Sequence, residues 1–423
     1  MWWAATLANS EAEQAKGLLT PAPVRERAEQ MLAIGVAGGL EHWRVDLDRL
    51  PEVARYVADL TRERYPTLAV PFHARWRHFE LDGVDLWGPD ADAAAKDEYW
   101  PDDAARARAE FDLAVVSVLL DAGAGPDWSY ADAATGKTYT RSEGLAVASL
   151  RMFQAGAFSA DPDDPWRADA VSLTLLSADD LARGFQVTAD NPLVGLEGRA
   201  ALLRRLGRQC LDRPDLFELE DGPRPGGLAD VLFERADADD RLPASAILEL
   251  LLEAFGPIWR DRLTLGGVDL GDCWRHPAMR RDDATDGIVP IHKLSQWLSY
   301  SLVEPLQTAG VVVTDLDGLT GLAEYRNGGL FMDMGVLTLK DSADADKAWP
   351  VSDPLVVAWR SMTVALLDRI APLVRAELGV GADRLPLASV LEAGTWAAGR
   401  RIAAERRPGG GPPLTILSDG TVF

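Results

Sequence analysis

The segment that most constrains this chain runs from Pro354 to about Leu378, PLVVAWRSMTVALLDRIAPLVRAEL. Its apolar residues recur with helical spacing, and it reads as one long helix, with a kink expected at Pro372 where the ring removes a backbone donor. The same pattern recurs along the sequence. Thr20 followed by Pro21 and Pro23 predicts a hydroxyl-capped helix to about Val36, stopped by Gly38-Gly39. A second helix follows Pro51, with Val53, Val57 and Leu60 on one face. Further helices are expected over about 102–121, 196–209, 243–254, 291–304 and 386–405, the last carrying Trp396. Arg141 leads into another, with Leu145, Ala148, Met152 and Phe153 inward, and Ser177 with Asp180 resembles a capping box.

Strand signals are sparse. Val311–Val313 reads as a short strand, Leu68–Leu81 as an extended hairpin turning at Asp82-Gly83, and 414–423 as a final edge strand. Residues 134–137 are turn chemistry, and the Asp/Pro/Gly-rich stretch 213–242 reads as a surface loop or insertion. The expected fold class is mainly α with a few short strands. The expected organisation is an N-terminal arm over 1–19 and one large, mainly helical domain over 20–423.

An apolar fraction of 47% over 423 residues supports a sizeable core. With 66 acidic against 43 Lys and Arg residues the net charge is −23, which repels polyanions and argues against general nucleic-acid binding. A local arginine pocket for one small phosphate stays compatible with that field. Two cysteines, Cys210 and Cys273, fit a reducing compartment and give no zinc pattern. The first residues lack a basic leader, and no 18-residue apolar window occurs, so a cytoplasmic protein without membrane association is expected.

Two stretches carry the chemistry. In Gly310–Lys340, Asp315, Asp317 and Gly318 read as a turn, not a calcium loop, and Leu319–Arg326 has helical spacing ending at Gly328-Gly329. Glu324, Tyr325 and Arg326 interrupt an apolar run, which costs stability unless the charges are paired. Either a buried Glu–Arg pair or a functional site accounts for them. The second stretch is Phe72-His73-Ala74-Arg75-Trp76-Arg77-His78-Phe79. On a regular strand His73, Arg75, Arg77 and Phe79 share one face, which suits a phosphate or carboxylate, or else is a solvated face offsetting acids. His73 and His78 then point apart, against a two-histidine chelate. Gly136-Lys137-Thr138 lacks the upstream glycine of a phosphate-binding loop. Asp272-Cys273-Trp274-Arg275-His276 reads as structural, and Asp282–Asp286 as an acidic loop.

The stretch from Val70 to Phe79, with Leu19-Thr20-Pro21 and Leu319–Gly329, resembles the uracil-catabolism family of fungi and bacteria, long catalogued as a domain of unknown function. The resemblance spans about Leu19 to Phe423. It implies a place in a pathway that degrades uracil through UMP and a ribosylurea-type intermediate and releases urea. A more distant resemblance is to the queuosine 5′-phosphate N-glycosidase family, a mostly helical fold related to helix-hairpin-helix DNA glycosylases. It rests on Gly136-Lys137-Thr138-Tyr139, on His292-Lys293-Leu294-Ser295-Gln296, on Leu319-Thr320-Gly321-Leu322-Ala323-Glu324-Tyr325-Arg326 and on Met334-Gly335-Val336-Leu337. Where that family has Asp, this chain has Glu324, one methylene longer.

These resemblances imply an N-ribosyl hydrolase acting on a small phosphorylated ribosyl metabolite such as ribosylurea 5-phosphate, with neither metal nor other cofactor. Glu324 would stabilise the oxocarbenium-like sugar and orient water. Lys293, Arg326, Arg75 and Arg77 would fix the sugar phosphate, with His73 and Trp76 in the same substrate-binding set. Tyr325, His292 or His73 would protonate the leaving group. The alternatives are a nucleotide-sensing or scaffold protein, and a metal-dependent amidohydrolase of the ureido intermediate. The last is disfavoured by five scattered histidines at 42, 73, 78, 276 and 292.

Overall fold

In the computed structural model the 354–378 segment is one helix, Pro354–Leu378, and its ends show why it forms there. Asp353 Oδ1 accepts from Leu355 N at 2.9 Å, Pro354 opens the first turn, and Gly379 closes the last in the left-handed region at φ 68°. Pro372 lies inside the helix. The structure describes residues 2–81, 83–87, 99–259 and 261–417. Among the described residues 55% are helical, with short strands that pair two by two.

It divides into two compact units. The first comprises the chain up to His73, Asp261–Gln296 and Asp315–Leu417. Here the Pro354–Leu378 helix packs against helices Pro21–Val36 and Leu50–Arg64, burying Val24, Met31, Val53, Val57, Val356 and Ile370. Thr20 occupies the expected cap position, but its side chain makes no cap hydrogen bond. Residues 1–19, read as an arm, contain the helix Trp2–Gly17, and Ala15 and Leu18 are buried with Leu270, Cys273 and Ile288. The 386–405 helix is observed as Leu387–Val390, a π-helical turn over Leu391–Thr395, and Trp396–Arg406. Thr415–Leu417 pairs in parallel with Ala348–Pro350, while the rest of the predicted 414–423 strand, from 418 on, lies outside the described residues.

The second unit comprises Ala74–Arg260 and Trp297–Thr314. Helix Asp103–Leu119 is capped by Asp102, whose side chain accepts from Ala105 N at 2.7 Å. The hairpin Ser129–Asp132 with Lys137–Thr140 leads into helix Arg141–Gln154, which buries the expected Leu145, Ala148, Met152 and Phe153 and also Ala146, Val147, Ser149 and Leu150. Ser177 and Asp180 form the predicted capping box. The strand Val312–Thr314 pairs in parallel with Arg241–Pro243.

Two expectations are corrected here. Residues 213–242 are not a surface loop: they hold helices Pro214–Phe217 and Gly227–Arg235, with Phe217, Leu228, Ala229 and Leu232 buried. A few apolar anchors and the fully buried Asp112, which takes Arg224 Nη1 at 2.5 Å and Gly226 N at 2.6 Å, outweigh the polar composition. Leu68–Leu81 is not an extended hairpin either. Arg75–His78 is a 3₁₀ turn, and the hairpin is limited to Glu80–Leu81 with Val84–Asp85, Asp82 lying outside the described residues. The two-face assignment therefore lapses: Arg75, Trp76 and His78 are all buried.

Candidate active site

Glu324 sits one residue before the helix Tyr325–Asp333 and caps it. Its Oε2 accepts from Arg326 N at 2.8 Å and its Oε1 from Asn327 N at 2.6 Å. Residues 320–324 are therefore not helical, contrary to the expectation from their spacing. The helix starts after Glu324 and runs through Gly328-Gly329 instead of ending there. The glycines serve close packing. A Cβ on Gly328 would lie 2.8 Å from the Trp359 indole, whose Nε1 donates to Gly328 O at 3.1 Å.

The Glu324–Arg326 side-chain pair does not form. Arg326 Nη1 donates to Gly410 O at 2.7 Å, and its guanidinium lies 4.8 Å from the centre of the Tyr325 ring. Helix Trp396–Arg406 approaches closely through Gly399, where a Cβ would collide with the Arg326 carbonyl. Gly399→Ala is expected to cost about 1–3 kcal/mol by overpacking, read as a lowered thermal midpoint.

Glu324 is 8% exposed. Burial pushes its carboxyl above the usual glutamate range, against the opposing pull of the Arg326 N–H, Lys293, the Asn327 N–H and His73. A carboxylate has about four acceptor positions, and two are used by backbone donors, so further acceptor capacity remains for a ligand.

Lys293 opens the helix Lys293–Thr308, and Asp272 fixes that end by accepting from Lys293 N at 2.9 Å through Oδ2. Asp272 also takes Arg360 in a fork, Nη1 to Oδ1 at 2.7 Å and Nη2 to Oδ2 at 2.8 Å, and Trp274 Nε1 at 2.6 Å. Burial opposes the charge on Asp272, but Arg360 and these donors hold its carboxyl below the ordinary range. Three residues into the helix, Gln296 Oε1 accepts from Thr320 N at 3.2 Å. This bond joins the Lys-x-x-Gln segment to the one that leads to Glu324.

His73 is buried, and its Nδ1 lies 2.8 Å from Oε2 of Glu392, itself buried. Glu392 lies on the π-helical turn, a feature that recurs at functional sites. Sequence reasoning missed Glu392 and Arg360, and read Asp272 as structural, which its bonds to Arg360 and Lys293 N fit. The signal for Glu392 was a lone acid in the apolar run Val390–Ala393.

The remaining candidates divide. His292 is 1% exposed with φ 51°, and its Nε2 faces Leu18 O at 3.1 Å and Cys273 Sγ at 3.6 Å. Burial lowers its pKa and favours the neutral imidazole, and the ring joins the chain just past the helix Trp2–Gly17 to the start of the Lys293 helix. Arg75, Trp76 and Arg77 belong to the second unit. There Arg75 Nε donates to Ser117 Oγ at 2.7 Å and its Nη1 lies 3.3 Å from Asp121. Trp76 Nε1 donates to Ser301 O at 2.7 Å, and Arg77 Nη2 to Glu304 at 2.5 Å. Glu324, Tyr325, Arg326, His292, Lys293 and His73 all belong to the first unit. Among the described residues no group of three or more His, Cys, Asp or Glu is arranged to hold a metal, and no helix is long and apolar enough to cross a membrane.

Known proteins extend this picture. Protein urg3 of Schizosaccharomyces pombe is 40% identical over 413 residues, covering 96% of this chain and 98% of that protein. Uracil catabolism protein 4 of Lachancea kluyveri is 38% identical over 418 residues, covering 90% of this chain and 92% of the relative. The family described as "Protein of unknown function (DUF1688)" matches residues 17–423, a span that includes every residue of the Glu324 site, and the chain belongs to that family.

Proposed function

We propose that the protein acts in uracil catabolism as an N-ribosyl hydrolase, cleaving a small phosphorylated ribosyl metabolite such as ribosylurea 5-phosphate to urea and ribose 5-phosphate. The observation that carries this reading is the buried Glu324 carboxylate, oriented by two backbone N–H groups, with Lys293 and His73 close enough to bias its charge. Support for the pathway comes from the relative named Uracil catabolism protein 4.

Cleavage of an N-ribosyl bond builds positive charge on the sugar, and a fixed carboxylate in a dry site stabilises that charge without reorganising. The same carboxylate receives a proton from the attacking water. Lys293 supplies a cation for the phosphate. Arg326, tied to Gly410 O, acts by holding the start of the Glu324-capped helix.

The test is incubation of the pure protein with UMP, uridine, ribosylurea and ribosylurea 5-phosphate, following reducing sugar and urea. Release of ribose 5-phosphate with urea supports the reading. Tight binding of one compound without turnover would support a sensor instead. The pH profile is a second check. Glu324 must be ionised to act and its carboxyl is pushed up, so kcat/KM is expected to fall with acid from a pH above the ~4.3 of an ordinary glutamate. An acid limb at or below that value would count against Glu324 as the base.

A further inference from the structure

We propose that His73 is the proton donor to the leaving group and that Glu392 is its positioning carboxylate. This rests on the N-ribosyl hydrolase reading and adds to it the source of the proton.

His73 is held from three sides. Its backbone N donates to Ala388 O at 3.0 Å, its Nδ1 lies 2.8 Å from Glu392 Oε2, and its ring centre is 5.7 Å from that of Trp396. Glu392 is held in turn. Arg64 Nη1 donates to the Glu392 backbone O at 2.8 Å, and Nη2 reaches Oε1 at 3.4 Å. The turn that carries it is π-helical, and Gly394 within it packs where a Cβ would strike Val57 of the Leu50–Arg64 helix. An extra residue in the turn and a glycine at the contact are the devices that bring a glutamate from this helix to a histidine 319 positions away. Both side chains are buried, so the Nδ1–carboxylate contact is made away from bulk water.

A carboxylate on Nδ1 fixes the ring's tautomer and orientation and offsets the charge of an imidazolium, and proton exchange then falls to Nε2. Glu392 faces the ring at Nδ1, Arg64 stands behind Glu392, and the Glu324 carboxylate interacts electrostatically with both His73 and Lys293. A ureide is a poor leaving group and needs this proton. In the step, the bond from the anomeric carbon to nitrogen breaks, its electron pair stays on nitrogen, and nitrogen takes the proton from His73 Nε2. The water oxygen bonds to the carbon and its proton passes to Glu324. Proton exchange with solvent resets both groups, and only substrate and water are consumed.

The test compares kcat, KM and pH profiles of wild type, His73→Asn and Glu392→Gln on ribosylurea 5-phosphate, with thermal midpoints recorded. Glu392→Gln keeps volume and an acceptor, so it carries the test even if His73→Asn fails to fold. The wild-type kcat/KM is expected to show a basic limb. His73→Asn is expected to lose about 10²-fold or more in kcat and to lose that limb. Glu392→Gln is expected to lose about tenfold or more in kcat with KM and thermal midpoint little changed. A Glu392→Gln enzyme with unchanged kcat, or a His73→Asn enzyme that keeps the basic limb, overturns the proposal while leaving the hydrolase reading intact. Absence of turnover by the wild type sinks the hydrolase reading itself, and the donor assignment with it.

Discussion

Glu324→Gln is expected to lower kcat on ribosylurea 5-phosphate by about 10²–10⁴-fold, the range typical of a positioned acid–base group. The fold should survive. The amide oxygen still accepts one of the two backbone N–H groups now bound at 2.8 and 2.6 Å, and a weakened N-cap costs about 1 kcal/mol. The measurement is therefore double: initial rates against thermal midpoint. A large rate loss with a small midpoint shift assigns chemistry to the carboxylate. Full activity with the midpoint lowered would make Glu324 a helix cap and nothing more. Glu324→Asp refines the test, because aspartate caps helices well but places the charge one methylene back. Retained stability with partial activity would show that reach matters.

The largest loss of stability is expected from Asp272→Ala. The change takes the carboxylate from Arg360, which is 1% exposed, and removes the acceptor that holds Lys293 N. Breaking a buried ion pair from one side costs about 3–5 kcal/mol, because the remaining charge stays desolvated. The urea midpoint reads this directly. The double variant Asp272→Leu with Arg360→Met should recover much of the loss, since an apolar pair of similar volume replaces a buried ion pair at little cost. If the double variant is as unstable as the single, the contribution lies in the bonds to Trp274 and Lys293 rather than in the ion pair. The pH dependence has a defined sign. Asp272 is held below its ordinary range, so its contribution is complete above the unfolded value of ~3.9 and is lost as pH falls through the lower folded value.

The helices were legible because their signals are local. Pro354 at a helix start, Ser177 with Asp180, and Gly38 after a helix end act within one or two turns, and each is found where the sequence put it. Mainly α with short strands followed from these alone. The failures have one cause. Period-2 spacing over Phe72–Phe79 counted faces on a strand, but Trp76 and Arg75 are drawn into a 3₁₀ turn by Ser301 and Ser117, which no local pattern contains. Helical spacing over Leu319–Arg326 likewise missed that Glu324 would take the first backbone donors for itself, starting the helix only at Tyr325.

At the site, the sequence by itself determined the residue types: an acid among apolar neighbours, a lysine at a helix start, and a histidine near arginines. The tertiary structure decided the pairings, His73 with Glu392, Arg360 with Asp272, and Gln296 with Thr320. Such pairings join segments far apart along the chain. Their energy depends on desolvation and on hydrogen-bond geometry within a packed interior, neither of which is written in the order of neighbouring residues.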